Sequence, residues 1–155
     1  MKVCIGGTFD IIHKGHEILI SKAFEVATKE GFVFIGLTKN NLIDKKKNVK
    51  NWYLRKKNLE RYISKKDYKA DFIIEGIEDI YGPTIENDFD AIVVSKETEE
   101  NAKKIKKKKK DKNKKPMKII IIPYLYAEDN LPISTTRIKK GEINKDGKRL
   151  YYKSK

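Results

Sequence analysis

A chain of 155 residues, 39% hydrophobic and 37% charged, is long enough for one domain with a real core. No apolar run approaches the ~20 residues of a membrane span, and glycines and Asp10 interrupt the N-terminus before a signal segment could form, so no membrane partner is expected. Cys4 is the only cysteine, which excludes an intrachain disulfide and makes a reducing, cytoplasmic setting the expectation.

Taken in chain order, short β-branched runs alternate with helical patterns. Apolar runs fall at residues 3–5, 32–37, 72–74, 91–94 and 119–122, the signature of strands covered on both faces of a parallel sheet. Cys4 on the first of them reads as a small buried hydrophobe. Helical spacing predicts helices over 16–30, 52–64, 96–110 and a short one from about Thr135. Gly31 is expected to close the first helix. In the second, Trp52, Leu59, Tyr62 and Ile63 share one face, and its arginines and lysines are expected to point elsewhere. The pattern predicts an α/β fold: a single-domain, doubly wound, Rossmann-like sheet of about five parallel strands with flanking helices. In such sheets ligands bind at the carboxyl ends of the strands, where strand order switches.

The chain carries a net charge of +14, and the stretch 103–118 supplies most of it, with eleven lysines against Asp111 alone. A block of like charge reads as a solvated helix end and a loop leading to the last strand. No aromatic residue interrupts it, so a stacking platform for single strands is missing. Specific nucleic-acid binding is therefore not expected, whereas weak salt-sensitive binding to polyanions is.

The most informative stretch is Gly6-Gly7-Thr8-Phe9-Asp10-Ile11-Ile12-His13-Lys14-Gly15-His16, between the first strand and the first helix. A strand-to-helix turn presents backbone N–H groups and the positive end of a helix dipole, which suits a phosphate. Two glycines allow close approach to the main chain, and two histidines three apart add side-chain donors. This pattern resembles the signature of the nucleotidyltransferase superfamily of adenylyl- and cytidylyltransferases. The superfamily's second motif is matched by Ile133-Ser134-Thr135-Thr136-Arg137-Ile138-Lys139, with Lys139 where arginine is commoner and Arg137 in a variable slot. Arg137 could supply a guanidinium in its place.

The middle of the chain is similar to phosphopantetheine adenylyltransferases of the archaeal and eukaryotic type. The resemblance rests on Lys45-Lys46-Lys47 after the second strand, Tyr53-Leu54-Arg55, Ile80-Tyr81-Gly82-Pro83-Thr84 after the third, and Ser95-Lys96-Glu97-Thr98 after the fourth. It spans residues 1–143, which makes 1–143 the expected nucleotidyltransferase domain, with a lysine-rich loop at about 103–118 and a basic C-terminal tail at 144–155.

The resemblance implies transfer of AMP from ATP to 4′-phosphopantetheine, giving dephospho-coenzyme A and pyrophosphate. His16, His13 and Thr8 are then the expected catalytic residues. Gly6, Gly7, Thr8, Phe9, His13, Gly15 and His16, with Ser134, Thr135, Thr136, Arg137 and Lys139, are expected to bind ATP. Thr8 and Tyr81 are expected at the acceptor, with one of Lys45–Lys47 on its phosphate; Lys46 is the choice, and the sequence leaves its neighbours open. Mg²⁺ would arrive bound to the ATP phosphates, with no metal site of the protein's own; a zinc pair at His13 and His16 lacks evident third and fourth ligands. Rival readings are another adenylyl- or cytidylyltransferase acting on FMN, nicotinamide mononucleotide or glycerol 3-phosphate, and, outside enzymes, a basic RNA-binding module.

Overall fold

The computed structural model describes residues 1–43, 47–79 and 82–150. Five strands, β1 (Lys2–Gly7), β2 (Phe32–Thr38), β3 (Asp71–Ile77), β4 (Ala91–Ser95) and β5 (Lys118–Ile122), form one sheet in the order β3-β2-β1-β4-β5. Every pairing is parallel. The helices are α1 (Lys14–Ala27), α2 (Trp52–Ser64), α3 (Gly82–Glu86), α4 (Glu99–Asp111) and α5 (Thr135–Lys139), with a 3₁₀ turn at Asn40–Leu42. All five expected strands and four helices are present; α3 and the 3₁₀ turn are additions to the sequence reading.

Period-two alternation sends successive strand residues to opposite faces of the sheet. Val3, Ile5, Val33, Ile35, Leu37, Ala91 and Val93 join Leu19, Ile20, Ala23 and Phe24 of α1 and Leu59 and Ile63 of α2 in one core. Cys4, Phe34, Ile92 and Val94 join Ile85, Phe89, Met117 and the α4 residues Ala102 and Ile105 in the other. Each fully buried aliphatic or aromatic side chain contributes roughly 1.5–3 kcal/mol to this two-sided packing. A smaller cluster of Ala127, Ile133 and Ile143 holds the C-terminal excursion together. The segment after Ile143 folds back on the domain: the Lys14 amide donates to the Lys145 carbonyl, and the Glu128 amide to that of Gly147.

Several details correct the sequence reading. Helix α1 ends at Ala27, where Thr28 takes a positive φ of 63°. Gly31 serves a different purpose: a Cβ there would lie 2.0 Å from the Ala27 carbonyl oxygen and 2.5 Å from that of Met1. Helix α4 starts three residues later than expected because Ser95–Thr98 forms its own turn, with the Thr98 amide donating to the Ser95 carbonyl. The lysine block is helical through Asp111, and one of its members is not solvated at all. Lys109 is fully buried, and its ammonium donates to the carbonyls of Thr84, Ile85 and Asn87 at the end of α3. Lys112 and Lys114 pair with Glu86, and Lys115 with Asp90. In α2, finally, Arg55 points inward and is wholly buried, so the expectation that every basic residue of that helix points outward fails there.

Candidate active site

β1 pairs with both β2 and β4, so the chain winds outward from β1 in both directions. A cleft of about 740 Å³ opens at the carboxyl ends of these strands, the expected place for a ligand in such a sheet.

The floor of the cleft is the β1–α1 turn. Phe9 adopts φ 48°, a conformation that costs a non-glycine residue on the order of 1 kcal/mol. The strain is held by packing: the Phe9 ring is buried, 5.0 Å from the His16 ring, and a Cβ on Gly7 would lie 3.0 Å from it. Thr8 reaches sideways, with its hydroxyl 2.9 Å from that of Thr38 at the end of β2.

Both histidines are fixed by the helix they open. His13 is the N-cap of α1, its Nδ1 accepting from the Gly15 amide at 3.0 Å. The His16 Nδ1 faces the His13 amide at 3.4 Å, and the two rings stack 3.9 Å apart. Gly15 permits the stack, since a Cβ there would lie 2.9 Å from His13 Cε1. In each ring the Nδ1 accepts, which assigns the proton of the neutral imidazole to Nε2. Burial pushes the His13 pKa down to about 4. Burial and then the neighbouring His13 push that of His16 to about 3, against an opposing bond to the Ile11 backbone. At neutral pH the pair therefore offers uncharged N–H donors.

Asp10, next in the turn, is buried but charged. Burial raises its pKa, but bonds from Lys139 and the Lys50 amide, with the charges of both lysines, bring it below its ordinary value. The Lys139 ammonium sits 2.5 Å from Asp10 Oδ2 and also donates to the carbonyls of Lys47 and Asn48, both at 3.2 Å. Asp10 also accepts from the Lys50 amide at 3.0 Å. One carboxylate thus ties the first motif to the second and to the segment after β2.

The far wall comes from α5 and from the ends of β4 and β5. Ser134 caps α5, its Oγ accepting from the Arg137 amide at 3.2 Å. Ser134, Thr135, Thr136 and Lys139 line the cleft together with Gly6, Gly7, Thr8, Phe9, His13, Gly15 and His16. Arg137 is not brought to it. Its guanidinium is engaged by Asp129, by Glu142 at 3.0 Å and by the carbonyls of Leu131 and Pro132. The hydrogen bond it donates to Asp129 is the main reason its pKa is raised. The expectation that this guanidinium substitutes for the missing motif arginine is therefore not met by its geometry. Lys46 and Tyr81 lie outside the described residues.

Lys47, one of the three lysines considered for the acceptor phosphate, lines the cleft, which also contains residues that sequence reasoning had not placed there: Asp10, Ser95, Glu97, Thr98, Pro123, Tyr124 and Leu125. The signal for Ser95–Thr98 was available, as a polar stretch immediately after a buried strand. Pro123 to Leu125 gave none beyond the end of the last apolar run. No group of three or more His, Cys, Asp or Glu able to hold a metal ion occurs among the described residues, and among them no helix is long and apolar enough to cross a membrane.

Comparison with known proteins agrees with this geometry. The family described as Cytidylyltransferase-like matches residues 4–141. The phosphopantetheine adenylyltransferase of Methanosarcina mazei is 45% identical over 148 residues, covering 95% of this chain and 96% of that protein. That of Archaeoglobus fulgidus is 38% identical, over 95% of this chain and 98% of its own. Among solved structures, a protein of unknown function from Archaeoglobus fulgidus superposes with a TM-score of 0.70 at 32% identity, covering 79% of this chain and 89% of that one. A pantoate-beta-alanine ligase from Francisella tularensis, at 16% identity and a TM-score of 0.59 over 90% of this chain and 67% of its own, shares the fold alone. The chain belongs to the cytidylyltransferase-like nucleotidyltransferases and, among them, to the phosphopantetheine adenylyltransferase family.

Proposed function

We propose that this protein transfers AMP from ATP to 4′-phosphopantetheine, releasing pyrophosphate and giving dephospho-coenzyme A. The observation that carries the reading is the meeting of the 6–16 turn and the 134–139 segment across one cleft, in a chain 45% identical to an archaeal enzyme of that name. An oxygen of the acceptor phosphate attacks the α-phosphorus, that P–O bond forms, and the bond to the β-phosphate oxygen breaks. The attacker is already an anion at neutral pH, so the reaction needs no general base. Its difficulty is bringing two polyanions together in line, and the protein answers by positioning and by donors.

His16 and His13 donate from Nε2 to the phosphate oxygens on which charge accumulates as pyrophosphate leaves. Being neutral, they bond to that charge without holding the product as a cation would. The amides of the Gly7–Phe9 turn and the Thr8 hydroxyl lie between the two substrates. Ser134, Thr135 and Thr136 take the β- and γ-phosphates, and Lys139 supplies the positive charge on that side. The ends of β4 and β5, with Ser95, Thr98, Pro123 and Tyr124, make the seat for the adenosine. Lys46 and Tyr81 take the acceptor. Mg²⁺ enters as part of the ATP complex, bound by substrate oxygens.

A pyrophosphate-release panel tests this directly, offering ATP and CTP against phosphopantetheine, FMN, nicotinamide mononucleotide and glycerol 3-phosphate. Turnover is expected with ATP and phosphopantetheine alone. Preference for CTP or for another acceptor refutes the assignment.

A further inference from the structure

Arg55 heads the fully buried side chains by size, yet among the described residues no carboxylate is bonded to it. Its guanidinium donates instead to oxygens on separate parts of the cleft's frame. Nε reaches the Lys50 carbonyl at 2.8 Å. One terminal nitrogen reaches the Thr8 carbonyl at 3.0 Å and the Thr38 carbonyl at 2.8 Å. The other reaches Asn40 Oδ1 at 3.1 Å. Thr8 belongs to the turn between the proposed substrates, Thr38 ends β2, and Asn40 and Lys50 stand at the two ends of the segment that carries Lys46.

A buried cation is an expensive way to fill space. Hydrophobic residues of similar volume generally stabilise a fold as well or better. What a guanidinium offers is a planar fork that fixes several acceptors in one geometry at once. Asp10 compensates its charge from nearby and grips the same segment through the Lys50 amide. Neighbouring Trp52 adds a second tie to the end of β2, its indole N–H donating to the Leu37 carbonyl at 3.0 Å. The arrangement holds the two ends of one segment against the turn beside it.

We infer that Arg55 is a positioning residue for the acceptor phosphate, its fork setting the two ends of the 40–50 segment relative to the Thr8 turn. The inference rests on the adenylyl-transfer reading above. It makes the acceptor side of the reaction, and not the ATP side, sensitive to a group that touches neither substrate.

The test is a comparison of Michaelis constants in the full-length enzyme. Arg55→Lys keeps the charge but not the fork. It is expected to raise KM for the acceptor by on the order of tenfold, since misplacement of this kind is costly even far from the chemistry. KM for ATP should change by less than about threefold, and kcat less than the acceptor KM. Asn40→Ala removes one accepting oxygen without emptying the core, and should move the acceptor KM in the same direction by a smaller factor. It keeps the test open if Arg55→Lys does not fold. Arg55→Lys and Lys46→Ala combined should cost less than the product of their separate effects, because one acts through the other. A folded variant with an unchanged acceptor KM, equal rises for both substrates, or strictly multiplicative effects would overturn this role while leaving the function standing. A wild-type enzyme inactive with every acceptor overturns both.

Discussion

The two halves of the cleft are built on different plans. Apart from the Asp10 carboxylate, the 6–16 turn is made of backbone and neutral groups: a strained Phe9, Gly7 and Gly15 where a Cβ would crowd a neighbouring ring, and two stacked imidazoles each held by an amide. The 134–140 half is made of charged side chains whose positions depend on partners elsewhere: Lys139 on Asp10, Arg137 on Asp129 and Glu142. The histidine pair and its glycines are therefore fixed within the first half itself, while Asp10 and Thr8 are its ties to the rest of the cleft. The second is set by residues outside the motif, so the same motif in another chain can aim its charges differently. A basic residue in a phosphate motif is a ligand only where its own fold has not already claimed it.

Removing the centre of the first half should have the largest effect. If the His16 Nε2–H bonds to charge that builds up only as pyrophosphate leaves, His16→Ala lowers kcat by on the order of 10²-fold or more while KM for ATP changes little. Steady-state kinetics of the purified variant check it; a near-normal kcat would reduce the stacked pair to a helix cap.

The same two histidines give the first half a pH signature. Their folded pKa values, about 4 and about 3, lie below the ordinary value near 6.5. Between those limits the unfolded chain binds more protons than the folded one, so stability is full above pH 6.5 and is lost as pH falls towards 4. The slope should be on the order of 1 kcal/mol per pH unit for each ring, less where water reaches the cleft. Asp10, held below its ordinary value, loses its stabilising effect only at still lower pH. Thermal melts from pH 7 to 4.5 should therefore show a falling Tm in the free protein. Saturating ATP should flatten the fall, since an adjacent polyanion favours the protonated rings. A Tm independent of pH across this window would mean that the rings are more exposed than the geometry shows.

The contrast explains what could be read from the sequence. Strands β1, β2 and β4 are buried on both faces and leave continuous apolar runs; the edge strands β3 and β5 were legible from their apolar runs too, but the expected cover on both faces fails there, where Ile73 and Ile121 are exposed. The glycine–histidine pattern of the 6–16 turn was legible because its constraints are local: Gly7 answers the Phe9 ring and Gly15 the His13 ring, each two residues away. Arg55 was hidden because an arginine on an amphipathic helix reads as surface, although its spacing from Trp52, Leu59 and Ile63 puts it on their face. Lys109 was hidden in the same way among ten other lysines, while its three accepting carbonyls come from a helix far away in sequence. Asp10 stood inside the quoted motif, but its function as a tie became visible only with Lys50 and Lys139 in place. Backbone demands are written in sequence; charge partners are written in the fold.

The smallest expected effect on turnover comes from the second half, and it is the sharpest test of the contrast. Arg137 and Lys139 are two residues apart in one short helix, yet their charges go to different places. The Arg137 guanidinium ties α5 to Asp129 and Glu142, within the same C-terminal excursion. Lys139 crosses the cleft to Asp10 and to the carbonyls of Lys47 and Asn48. Arg137→Ala should therefore lower Tm but leave KM for ATP within about twofold, the mark of a residue that contributes no differential binding. Lys139→Ala should raise KM for both substrates, because the lost ammonium faced the cleft and also held the segment beside the acceptor. Lys139→Arg keeps the charge and adds a fork, and should retain turnover if the longer group can reach both Asp10 and the phosphates. If instead Arg137→Ala weakens ATP while Lys139→Ala does not, the guanidinium must leave Asp129 when the nucleotide binds. The second half would then be a rearranging site, and the locally fixed and partner-set halves would differ in motion as well as in construction.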